Sequence, residues 1–196
     1  MAHIDSNEKK LSLSNHLLRK YSDLINEKEK KTVREVKALV NPDDLTIQSI
    51  VEKFKPENYS YEKDFSSVAR KLFDFCQTEL TYSKIDIPLS YWLSPTELMS
   101  LRTGDDEDLS VFFCSMLNAI GNKAFVIISE LIDSSSHSFV FTNYNGKVFI
   151  FDLSQKHSFE EFSGNEVDVL RKYSFNGNKI KGFLYKFNSD EYKEFI

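Results

Sequence analysis

Hydrophobic positions recur at helical spacing through the first 80 residues and at strand spacing after Gly121, so the chain reads as helices followed by a sheet. Leu17, Leu18, Tyr21, Leu24 and Ile25, then Val33, Val36, Leu39 and Val40, predict one long helix or two short ones between Ser12 and Val40, a stretch without proline or glycine. The intervening Glu27-Lys28-Glu29-Lys30-Lys31 reads as a solvated turn of helix with local ion pairs. Asn41-Pro42-Asp43-Asp44 stops that element and caps a helix whose apolar face is Leu45, Ile47, Ile50, Val51 and Phe54. Phe65, Val68, Ala69, Leu72, Phe73 and Cys76 mark another, from about Tyr61 to Leu80.

Ser94-Pro95-Thr96-Glu97 is a capping box with proline at the first helical position, opening a short helix that ends before Gly104. The next helix runs from about Asp106 to Ile120 and is apolar almost all round, as a helix central to a core must be; Gly121 is placed to terminate it. Beyond it, β-branched and aromatic runs over Ala124–Ile132, Ser138–Thr142 and Lys147–Leu153 predict strands. Asn145-Gly146 joins the last two in a tight hairpin, because both residues accept the positive φ that a primed turn needs. A further strand is expected within Lys181–Asn188, and a helix or turn around Phe159–Tyr173. The fold class is α+β: N-terminal helices and a buried central helix packed on a small antiparallel sheet. Residues 1–60 are expected to form an N-terminal helical segment and residues 61–196 the core domain.

Composition narrows the function classes. A chain of 196 residues can bury a core without disulfides or metals. A formal charge of -5 and a pI near 5.5 argue against a phosphate-tracking surface, so nucleic acid is not an expected partner. Met1 to Lys10 is polar and charged with no apolar run behind it, which predicts neither a signal peptide nor a membrane span and suggests a cytoplasmic protein without a membrane partner. Cys76 and Cys114 sit among apolar neighbours within predicted helices and read as inert core residues without a disulfide.

Candidate chemistry gathers at Gly104-Asp105-Asp106-Glu107-Asp108, a carboxylate cluster opening the central helix. Taken alone, the cluster is explained by capping and by the helix dipole. His137, at the start of one predicted strand, and Asp152, at the end of the next, change that reading. A hairpin closed at Asn145-Gly146 puts them roughly opposite each other. Acyl transfer by cysteine needs a thiolate at a helix N-terminus, an imidazole, and a group that orients the imidazole. Asp106, His137 and Asp152 occupy that frame. Trp92 either lines the cleft or packs beside it, and His16 and His157 read as surface residues.

In order and spacing, the Gly-x-x-x-Asp helix start, the helix ending Met116-Leu117-Asn118-Ala119-Ile120-Gly121, the His137 strand and the strand ending at Asp152 resemble the transglutaminase-like branch of the papain-like cysteine hydrolases. The resemblance runs from about Val68 to Ser154. It implies a papain-like fold and an ancestral activity on glutaminyl amides, and it places the family's cysteine at Asp106. A carboxylate is a poor nucleophile toward an amide, and the mixed anhydride it would form is high in energy. The expectation is therefore an Asp-His-Asp replacement of the triad, without thiol-based acyl transfer, retained as a binding or assembly module for a protein or peptide. The alternative is an active transglutaminase or amidase, or a metal-assisted hydrolase of protein or peptide amides. No cofactor or metal is called for by the resemblance.

Overall fold

The computed structural model describes residues 6–84 and 86–195; the first half of the polar stretch from Met1 to Lys10 lies outside them. Three helices, rather than one or two, fill the N-terminal stretch: α1 (Ser6–Lys20), α2 (Ser22–Glu29) and α3 (Val33–Leu39). The breaks have local causes. Lys30 is extended at φ -59°, ψ 123°, ending α2, and Thr32 starts a new helix through a capping box with Glu35. The charged stretch expected to be a helical turn is thus partly a connector, with Lys31 only 3.9 Å from Glu29.

α4 (Leu45–Phe54) is capped by Asp44, which accepts from the Thr46 and Ile47 amides, and buries Ile47, Ile50 and Val51. α5 (Tyr61–Glu79) follows the predicted helix closely and buries the six apolar residues that marked it. A two-residue strand β1 (Thr81–Tyr82) leads through an extended segment to α6 (Pro95–Leu101), where the Ser94–Glu97 capping box forms as expected. β2 (Thr103–Gly104) pairs in parallel with β1 and runs directly into α7 (Asp106–Ala119). This small ladder ties the end of α5 to the start of α7.

The remaining strands form one antiparallel six-stranded sheet: β3 (Phe125–Leu131), β4 (Ser136–Tyr144), β5 (Lys147–Phe151) and β6 (Ser163–Gly164), then β7 (Ile180–Phe187) and β8 (Tyr192–Glu194) after the helix α8 (Glu166–Lys172). Their order is β6-β5-β4-β3-β7-β8. At the β4–β5 turn, Asn145 (φ 50°) and Gly146 (φ 73°) make the two-residue hairpin, pairing Tyr144 with Lys147.

Alternation along the strands divides the core between two faces. Val126, Ile128, Val140, Phe149 and Phe151 join Phe112, Phe113 and Leu117 of α7 and Phe73 of α5. Phe125, Ile127, Phe139, Val148 and Ile150 pack instead with Phe162, Val169 and Tyr173 around α8. The central helix is buried continuously from Asp108 to Leu117, so its first turn is fixed by the core behind it.

Candidate active site

The start of α7 is built by short-range chemistry. Asp105 is the N-cap: its carboxylate accepts from the Glu107 and Asp108 amides at 3.0 Å each, and Asp108 returns a bond to the Asp105 amide at 3.3 Å. Asp108 also accepts the Leu93 amide at 2.7 Å, joining the segment before α6 to the start of α7. Gly104 is required by this crowding. A Cβ there would stand 2.7 Å from Leu98 Cδ1 and 3.0 Å from Asp108 Cβ.

Asp106 occupies the first turn of α7, and the structure brings it together with the other two residues singled out from the sequence. His137 Nδ1 lies 3.0 Å from Asp106 Oδ2, and His137 Nε2 lies 3.1 Å from Asp152 Oδ2. The hairpin register explains the second contact. With Val140 opposite Phe151, the next position along β5 puts Asp152 opposite Phe139, so His137 meets Asp152 as a diagonal neighbour two residues along β4. The same Asp106 Oδ2 accepts the Ser138 amide at 2.7 Å.

Several residues that complete this arrangement were not singled out in the sequence. Asp152 is buried and surrounded by donors: Tyr173 Oη and Gln155 Nε2, each at 2.7 Å from Oδ2, and the Ser154 amide at 3.0 Å from Oδ1, with the Ser154 hydroxyl bonded to the same oxygen. His157 is half-buried rather than a surface residue. Its Nε2 lies 3.2 Å from the Asp152 amide nitrogen and its ring packs between Phe73 and Phe162. Phe175 stacks flat on His137, with ring centroids 3.7 Å apart and planes 8° apart. The signal for Phe175 was present as Asn176-Gly177, a second Asn-Gly turn with both residues at positive φ, which folds Phe175 back against Asn178. Trp92 packs edge-on against Phe187 in the core. His16 is exposed.

Charge is distributed unevenly. Burial alone would push the His137 imidazole down, but its hydrogen bonds and attraction to Asp106 and Asp152 prevail and raise it from 6.5 to about 9. At neutral pH the ring is an imidazolium between two carboxylates, under an aromatic face that favours a cation. Burial would raise Asp152; the bonds from His137, Ser154 and Tyr173 prevail and hold it below its ordinary value. Elsewhere in the cluster burial prevails. Glu107 is raised to about 8 and Asp108 to about 7, by desolvation first and by neighbouring carboxylates second.

A cleft of about 430 Å³ opens onto this edge, lined among others by Tyr82, Tyr91, Phe175, Asp105, Asp106 and Glu107, with Lys84 on its wall. His137 is sealed, with 1 % of its side chain exposed, whereas Asp106 presents 19 % of its own.

The chain's thiols stand elsewhere. Cys76 and Cys114 are both free and fully buried, and burial raises both thiols far above their ordinary value. Among the described residues, no group of three or more His, Cys, Asp or Glu side chains is arranged to hold a metal ion. Asp106 and Asp152 engage opposite nitrogens of one ring, so the three cannot converge on a single ion. Among the described residues, no helix is long and apolar enough to cross a membrane.

Residues 90–176, which run from the segment before α6 to the Phe175 turn, match the family profile of the CEP76 peptidase-like domain. No curated protein matches the chain. Among solved structures, Legionella pneumophila LapG is similar in its EGTA-treated form, with a TM-score of 0.53 at 14 % identity over 85 % of this chain and 87 % of that one. Its calcium-bound form gives a TM-score of 0.53 at 14 % identity, over 84 % and 88 %. With its central helix, its antiparallel sheet and its His137–Asp152 pair in this arrangement, the chain has the transglutaminase-like form of the papain-like fold.

Proposed function

We propose that the chain is a binding module built on a transglutaminase-like frame, in which Asp106, His137 and Asp152 stand in place of a Cys-His-Asp triad and thiol-based acyl transfer has been lost. One observation carries this reading. At the helix start where the family places its thiol, a carboxylate is held by both an imidazolium and the Ser138 amide. An oxygen committed to two donors is a weaker nucleophile than a free carboxylate, and an imidazolium cannot accept a proton from an attacking group.

The occupant we assign to the cleft is a cationic segment of a protein or peptide. Asp105 and Asp106 supply negative charge and Glu107 a carboxyl that can ionise, and Tyr82, Tyr91 and Phe175 supply aromatic surface for the aliphatic stem or guanidinium plane of lysine or arginine. Glu107, at about 8, carries a proton through most of neutral pH. A bound cation expels that proton, so binding and proton release are coupled.

Calorimetry with lysine- and arginine-containing peptides at pH 7 tests the reading. The expected result is a binding heat that varies with the ionisation enthalpy of the buffer and an affinity that falls in Glu107→Gln. Equal binding of glutamate-rich peptides, or amine incorporation abolished by iodoacetamide, would overturn it.

A further inference from the structure

Helix α1 carries an apolar face that no described residue covers. Leu11, Leu13, Leu17 and Leu18, with Tyr21 directly after the helix, are 63, 60, 44, 37 and 47 % exposed. At ~100° per residue these five fall within an arc of about 160° on one side of the helix. Arg19 lies on the other side, Lys9 and Lys20 border the arc beside Leu13, and Lys10 sits within it. Four cations against Glu8 alone give α1 a formal charge of +3 in a chain whose total is -5. Arg19 is engaged by Asp86, donating to its carbonyl at 2.6 Å, so Lys9, Lys10 and Lys20 are the cations most open to a partner.

We propose that α1 lies flat on an anionic lipid bilayer, with its leucines in the headgroup–acyl boundary and its lysines at lipid phosphates and carboxylates. The helix does not span. Its 15 residues reach only ~22 Å at 1.5 Å each, short of the hydrocarbon core. Charge complementarity decides the occupant. A second copy docked helix against helix would bring another +3 element against the first, whereas an anionic bilayer attracts each lysine. A helix with leucines along one side and lysines at its margins binds in the interface plane, the lysine stems reaching up to the headgroups. One such helix gives reversible attachment. The proposal uses none of the cleft residues and stands apart from the reading of the site.

Flotation of the full chain with phosphatidylcholine vesicles, with and without phosphatidylserine, tests it alongside Leu13→Ser/Leu17→Ser and Lys9→Glu/Lys10→Glu. These positions are exposed, so the fold is not at risk, and far-UV circular dichroism checks that it is kept. The expected result is flotation only with phosphatidylserine, weakened by salt, with partitioning reduced about tenfold or more in each variant. Three results would overturn the proposal: no flotation with phosphatidylserine vesicles, undiminished flotation of the leucine variant, or leucine-dependent self-association in sedimentation without flotation.

Discussion

If His137 is an imidazolium clamped between Asp106 and Asp152, the protein must lose stability as that proton leaves. The folded value of about 9 exceeds the ordinary 6.5, so the contribution is fully present below pH 6.5 and is lost as pH rises through 9. At ~1.36 kcal/mol for each unit of pKa, the rise corresponds to about 3 kcal/mol, a large share of the net stability of a small domain. Glu107 and Asp108 push in the same direction. Their raised carboxyls, at about 8 and about 7, favour the folded state most when protonated and cost stability as they ionise. Urea denaturation at pH 6 and pH 9 should therefore give a clearly lower unfolding free energy at the higher pH. The His137 share is isolated by His137→Gln, in which the decline between pH 6.5 and 9 should be shallower. Imidazole nitrogen shifts followed by NMR should show one histidine titrating near 9. A His137 midpoint at or below 6.5, or a stability that is flat from pH 6.5 to 9, would refute the reasoning.

Three further outcomes follow from the packing around the site. Gly104→Ala should cost ~1–3 kcal/mol in denaturant unfolding, because its Cβ would meet the buried Leu98 and Asp108 side chains at 2.7 and 3.0 Å. Tyr173→Phe removes a 2.7 Å donor from the buried Asp152 carboxylate and should cost ~1–3 kcal/mol; unchanged stability would mean that the hydroxyl is not needed there. Ser138→Ala should be neutral or stabilising by up to ~1 kcal/mol, since the Ser138 hydroxyl is buried with no partner among the described residues and its amide bond to Asp106 survives the change.

What could be read from the sequence was local or periodic. The Ser94 capping box, the central helix after Gly104 and the Asn145-Gly146 hairpin each depend on residues a few positions apart. The hairpin then set the register that brought His137 and Asp152 together. The N-terminal breaks were less visible because exposed, mixed-charge residues leave the same pattern in a helix and in a connector. The second layer around the site was hidden for a different reason. Tyr173, Gln155 and His157 reach Asp152 through the packing of α8 and the loops beside it, which no spacing rule specifies. Phe175 is the exception, since its Asn-Gly turn was readable, but what its ring would cover was not.

The central claim is that an intact frame surrounds a missing thiol. It is tested most directly by ammonia release from a glutaminyl peptide with a primary amine, measured on the native protein beside Asp106→Cys. The expected result is no release by the native chain and release by the variant, whose new thiol would stand at a helix start next to His137. Release by the native protein, sensitive to iodoacetamide, would contradict the account and place a working thiol where none has been identified.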